Sequence, residues 1–181
     1  MSTALREVAG PTLRLRPVQP SDAGYIHGLR TDPQLSRHLS AVSGTVEDQR
    51  RWIEAYMARA AAGQEAYFII ERHGGRPCGT VRLYGIAGDR FTWGSWILDD
   101  AKPPKAALES AVLSFGLGFG PLGGRIADVD VRRDNHPAVA FYRRFGMTQT
   151  GADGTTLHFT YACDRFHADR PRHMAVLAGA A

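Results

Sequence analysis

The chain has 181 residues, 44% of them hydrophobic and 22% charged, which is enough apolar material for the core of one domain. Its apolar runs fall short of the roughly 18 residues a membrane-spanning helix needs. The opening MSTALREVAGPTLRLRP also lacks a continuous signal-type stretch, so a cytoplasmic location is expected. The net charge of +4 points to an anionic partner. The basic residues stand in scattered pairs, Arg50-Arg51, Arg132-Arg133 and Arg143-Arg144, and not in the dense stripe expected for nucleic acid. Cys78 and Cys163 show neither metal-ligand spacing nor a disulfide framework, so no metal is expected.

In chain order, Leu13 to Pro17 alternates apolar and basic residues like a short strand, and Ser21 or Asp22 caps a helix running to about Arg30. Thr31 to Gly44 is irregular and polar. Thr45 and Asp48 form a capping-box pattern that opens a longer helix, with Val46, Ile53, Tyr56, Met57 and Ala60 on one face and Gly63 at its end. The period then changes to that of strands. Ala66 to Arg72 and Pro77 to Ile86 form a hairpin across His73-Gly74-Gly75, and Gly88-Asp89 turns the chain into a further strand, Phe91 to Leu98. Pro103 to Phe119 reads as a helix with Ala107, Leu108, Ala111, Val112, Phe115 and Phe119 inward, stopped by Pro121 and Gly123-Gly124. Ile126 to Val131 is the next strand and a helix follows Asn135. Met147 to Thr150 and Thr155 to Tyr161 then pair around Asp153-Gly154. Residues 1–161 form a single domain, and residues 162–181, basic at first and small and apolar at the end, are an appendage of the same chain.

The stretch VRRDNHPAVAFYRRFGM, Val131 to Met147, carries the most chemistry. Asn135 or Asp134 can cap a helix that Pro137 is shaped to begin, and Gly146 has the backbone freedom to end it. Ala138, Phe141, Tyr142 and Phe145 share one face. A strand-to-helix turn of this kind offers amide donors and a positive dipole end to an anion. Its spacing resembles the cofactor-binding end of the GNAT superfamily of N-acetyltransferases, V-x-x-x-N-x-x-A-x-x-[FL]-Y-x-x-x-G-[FM], here Val131, Asn135, Ala138, Phe141-Tyr142 and Gly146-Met147. The order of elements over Leu13 to Tyr161 resembles that family too.

The resemblance implies an α/β (α+β) fold, with a mixed, mostly antiparallel central sheet of about seven strands and helices on both faces. It implies acetyl-CoA as donor, with the pantetheine arm in a gap between the Phe91 to Leu98 strand and its parallel neighbour ending at Val131. Trp96, Ile97 and Leu98 would offer backbone groups to that arm, with Asn135, Ala138, Phe141 and Arg144 across the gap. The family's diphosphate loop, [QR]-x-x-G-x-[GA], aligns with Lys102-Pro103-Pro104-Lys105-Ala106-Ala107. Lys105 occupies the glycine position: either its ammonium reaches the phosphates or its side chain crowds the loop. Tyr142 matches the family's general acid, a phenol of reference pKa about 10 beside the thiolate. Asp130, Asp128, Glu71 and Glu109 are candidate carboxylates for the base, and strand alternation favours Asp130.

The layout of LRTDPQLSRHLS and Gln49-Arg50-Arg51-Trp52, with the strand WGSWIL, resembles GNAT enzymes of the nucleotide-linked amino-sugar type, including flagellin-sugar pathway members. That resemblance makes Arg30, Arg37, His38, Trp52, Trp93 and Ser95 acceptor-binding candidates, with arginines pairing with a diphosphate and a tryptophan stacking on a base or sugar. The alternatives are an enzyme acetylating protein N-termini or small amines, and a non-catalytic relative that binds CoA or a nucleotide. A membrane partner is not expected, and the chain is taken as a monomer or homodimer.

Overall fold

A computed structural model of the chain describes residues 7–179; the first six residues and the last two, parts of the N-terminal stretch and tail read above, lie outside the described residues. Strand β1 (Val8–Ala9) pairs with β2 (Leu13–Pro17), and a 3-10 turn at Pro20–Asp22 leads into α1 (Ala23–Thr31). Helix α2 (Val46–Ala61) opens on the expected capping box: the Thr45 hydroxyl accepts from the Asp48 amide, and the Asp48 carboxylate accepts from the Thr45 amide. Strands β3 (Ala66–Arg72), β4 (Pro77–Ala87) and β5 (Arg90–Leu98) follow, then α3 (Ala106–Phe119), β6 (Ile126–Arg132), α4 (His136–Phe145), β7 (Thr148–Asp153), β8 (Thr156–Ala162) and α5 (Cys163–Leu177).

The eight strands form one sheet in the order β1-β2-β3-β4-β5-β6-β8-β7, antiparallel except for β5 beside β6. The added strand is β1, whose two residues are too few to carry an alternation signal. Alternation sorts the side chains onto two faces. Leu15, Phe68, Val81, Leu83, Phe91, Ala127, Val129 and Phe159 pack with α3, α4 and α5. Val18, Tyr67 and Ile69 pack on the opposite face with Ile26 of α1 and with Ile53 and Tyr56 of α2. Helices therefore cover both faces, and α1 and α2 cover their face only around β2 to β4.

Three local expectations differ from what is found. Val46 and Met57, expected on one face with Ile53 and Tyr56, are exposed, because α2 buries a narrow stripe centred on Ile53 and Tyr56. Helix α3 starts at Ala106 instead of Pro103: Pro104 disfavours helical backbone at Pro103, and Lys105 stands in the left-handed region as the N-cap. The tail forms α5, which buries Phe166, Asp169 and His173 against the body of the chain; His173 stacks on Phe145 of α4 with ring centroids 4.3 Å apart.

Helix α4 ends at Gly146, whose φ of 113° is a glycine conformation. There is also no room for a side chain, since a Cβ there would overlap the Asp169 carboxylate. That carboxylate is already engaged by the Tyr161 hydroxyl at 3.1 Å and Arg165 Nε at 2.7 Å.

Candidate active site

Strands β5 and β6 pair only at Arg90 with Ile126, Phe91 with Ala127 and Thr92 with Asp128, and part beyond that point. On the other edge of β5 the register with β4 slips, so that Ser95 and Trp96 stand opposite Val81 alone. This β-bulge bends the strand away from β6. Ser95 sits at its centre with φ 48°, unusual for a residue with a side chain. Gly79 of β4 lets the bent strand come close, because a Cβ there would run into the Ile97 carbonyl.

The gap is a cavity of about 470 Å³, lined by Gly94 to Leu98, Ala107, Asp130 to Arg132, Asn135, Ala138, Phe141, Tyr142 and Arg144, with Gln34, Leu35 and Arg37 to Leu39 across it. Asn135 Oδ1 accepts from the Ala138 amide at 3.3 Å and caps α4, whose positive end therefore borders the cavity. Tyr142 is 6% exposed and packs edge-on against Trp93 and Phe159. Burial pushes its phenol well above the usual range, so it stays protonated at any working pH.

The loop Asp100 to Ala107 lines a further, open cavity of about 350 Å³. Lys105 adopts φ 63° there and donates from Nζ to the Val176 carbonyl at the end of α5, 2.5 Å away. Lys102 donates from Nζ to the Asp99 carbonyl at 3.2 Å. The Lys105 side chain turns to the tail helix and its backbone takes the conformation that glycine would adopt. Replacing Lys105 by Gly should therefore leave the CoA dissociation constant within about threefold in calorimetry, since what is lost is a tether and what is relieved is backbone strain of about 1 kcal/mol. Tenfold weaker binding would place the ammonium at the phosphates.

A second cavity, about 580 Å³, opens on the α1 and α2 side and meets the first at Ser95; Arg30, Ser40, Ser43, Gln49, Trp52, Tyr67, Arg82 and Tyr84 are among its walls. The Arg82 guanidinium lies over the rings of Trp52 and Tyr84, 5.0 and 4.8 Å from their centroids, and pairs with Glu65, as does Arg59. Arg30 donates from Nη2 to the Ser40 carbonyl at 3.1 Å, while its Nε is buried without a partner among the described residues.

The expected site residues divide accordingly. Trp96, Ile97, Leu98, Ala107, Asn135, Ala138, Phe141, Tyr142, Arg144 and Asp130 line the first cavity, and Lys102, Lys105 and Ala106 the loop cavity. Arg30, Trp52 and Ser95 line the second. Arg37 and His38, expected with them, lie over the first cavity, where His38 Nδ1 comes within 3.4 Å of Asp134. Trp93 belongs to neither: it is 1% exposed, stacks on Phe115 and donates from its indole N–H to Ser114 Oγ at 2.8 Å. Among the other carboxylates, Glu109 accepts from the Thr12 and Leu13 amides, Glu71 pairs with Arg14 and Arg16, and Asp128 pairs with Arg90. Arg82 and Tyr84 carry no motif in the sequence, although they alternate with buried Val81 and Leu83 and so mark the polar side of β4.

The acetyltransferase (GNAT) domain model matches residues 12–148. A search of curated proteins finds no match. Among solved structures, the apo form of FdhC, a nucleotide-linked sugar GNAT, is 31% identical, with 96% of this chain and 98% of that chain covered at a TM-score of 0.85. The spermidine N-acetyltransferase of Vibrio cholerae in complex with CoA and spermine is 16% identical over 86% of this chain and 98% of its own, with a TM-score of 0.75. A GCN5-related N-acetyltransferase from Brucella melitensis is 18% identical over 97% of this chain and 86% of its own, with a TM-score of 0.75. These last two are likenesses of fold. With the family model matching most of its length, the chain belongs to the GNAT acetyltransferase family.

Proposed function

We propose that the protein moves an acetyl group directly from acetyl-CoA to the primary amine of a nucleotide-linked amino sugar. The observation that carries this reading is the meeting at Ser95 of two unlike cavities, one bordered by Tyr142 and the positive end of α4, the other walled by Arg30, Arg82 and the Trp52 ring. In this reading the pantetheine arm follows Trp96, Ile97 and Leu98 like a missing strand. The diphosphate takes the Ala107 amide, with Lys102 and Arg144 nearby, since the Ala106 amide already donates to the Pro103 carbonyl, and Asn135, Ala138 and Phe141 form the far wall.

Asp130 accepts a proton from the bound ammonium, the free amine attacks the acetyl carbonyl, and Tyr142 protonates the departing sulfur. A buried phenol is a weaker acid than a free one. The thiolate beside it is desolvated by the same pocket and becomes a stronger base, so the transfer stays nearly matched.

Acceptor charge separates this substrate class from a polyamine. Arg30, whose Nε has no partner among the described residues, suits an anionic diphosphate and disfavours a polycation, whereas Arg82 is already paired with Glu65 and lies on the Trp52 ring. The FdhC likeness supports the same class. The test is thiol release from acetyl-CoA with UDP- and dTDP-linked amino sugars set against spermidine and simple amines. CoA binding with no thiol release from any of them would sink the transferase reading, and release with spermidine alone would sink the acceptor class. Within it, Arg30→Met should raise KM for the sugar nucleotide about 10- to 100-fold, the loss of one charged hydrogen bond, with little change in kcat.

A further inference from the structure

Beyond the cavities, the face of β6, β8 and β7 left open by α1 and α2 carries a chain of side chains that begins at cavity-lining Asp130. Asp130 Oδ1 meets His158 Nδ1 at 2.7 Å, and the other ring nitrogen, Nε2, meets Asp153 Oδ2 at 2.8 Å. Strand register fixes this: His158 is the direct partner of Asp130 across β6 and β8, and the bulge that sets Gly151 opposite His158 brings Asp153 to its far side. The two carboxylates sit on opposite edges of the ring, so the three groups do not converge on a point as metal ligands would.

A neutral imidazole has one N–H. Between two carboxylates it can satisfy only one of them, and the other contact sets lone pair against lone pair. One added proton converts both contacts into charge-assisted hydrogen bonds. We infer that His158 is a positioning and proton-storing residue for the transfer, drawing the ammonium's proton out of the cavity through Asp130 and releasing it to solvent beside Asp153. The inference rests on the proposed role of Asp130 as base. The acceptor ammonium loses one proton through Asp130 and His158 to solvent; the C–N bond forms as the C–S bond breaks, the sulfur takes the Tyr142 proton, and the second proton lost from nitrogen after attack restores the Tyr142 hydroxyl, so the net product is one proton to solvent.

The groups around His158 agree with this direction. Asp130 on β6 and Asp153 on β7 both raise its pKa above the ordinary 6.5. Asp128 is occupied by Arg90, and Arg132 by Asp134. Tyr84, across β5, is raised mainly by burial, with Arg82 opposing and Asp130 adding to it. His158 is one-third exposed, so exchange with bulk water is open.

The test joins imidazole titration by ¹⁵N NMR of the free protein with pH profiles of kcat/KM, using the sugar nucleotide that supports thiol release. Asp153→Asn should lower the His158 titration and carry the acid limb of kcat/KM down with it by roughly one pH unit. His158→Gln should abolish that limb and lower kcat/KM about tenfold near neutrality. A limb that stays put in Asp153→Asn while the imidazole titration moves overturns the role of His158. An imidazole titration insensitive to both Asp130→Asn and Asp153→Asn overturns the cluster itself. If instead Asp130→Asn turns over at the wild-type rate, it is the base assignment that fails.

Discussion

Replacing Tyr142 by Phe is expected to lower kcat by about 10²- to 10⁴-fold while leaving KM for acetyl-CoA and the thermal midpoint nearly unchanged. The ring is held by edge contacts to Trp93 and Phe159 that a phenyl group keeps, so the substitution removes the hydroxyl without opening a hole. Burial is the cause of the raised phenol, so no neighbouring charge is stranded by its removal. The loss should appear across the whole pH range, because the hydroxyl is protonated throughout it. Rates followed by thiol release, with chemistry shown to be limiting by a pre-steady-state burst test, decide the matter. Turnover at the wild-type rate would show that the sulfur finds its proton elsewhere.

The largest expected effect on stability is at Gly146. Alanine there must adopt a left-handed backbone, at about 1–2 kcal/mol, and its Cβ must displace the Asp169 carboxylate from Tyr161 and Arg165, which costs roughly another 1–2 kcal/mol. Urea unfolding should therefore show Gly146→Ala about 2–4 kcal/mol less stable, with an unchanged m-value. An effect under about 0.5 kcal/mol would mean that α5 slides freely on the end of α4.

Local rules made much of the fold legible. The capping box at Thr45 and Asp48, the Asn135 cap and the alternation of β6 each depend on neighbours in sequence, and each is found. The errors arise where a local period is broken or where distant strands decide. Alternation across WGSWIL treats Trp93 and Trp96 as residues of opposite faces, yet the bulge at Ser95 resets the phase. Trp93 then lies in the core and Trp96 borders it, donating to Ser110 on the same helix that Trp93 reaches through Ser114. Nothing in the residue types announces a bulge. His158 is likewise invisible locally, since its carboxylate partners come from the register of three strands. The tail hid its helix because part of the face it buries is polar: Asp169 and His173 lie inside beside Phe166, and Pro171 interrupts the helical pattern. Asn135 and Tyr142 were readable for the opposite reason, as cap and face of one amphipathic helix.

The two non-glycine residues with left-handed backbone among the described residues, Ser95 and Lys105, stand at opposite ends of a single stretch that runs from the junction of the cavities to the start of α3. Elsewhere in the described chain, glycines take such conformations. These left-handed conformations are thus concentrated along the cavity walls, each costing about 1 kcal/mol that glycine would avoid. Selection for stability alone would place glycine at both positions, so the eleven residues from Ser95 to Lys105 hold a reserve of stability that this sequence leaves unused.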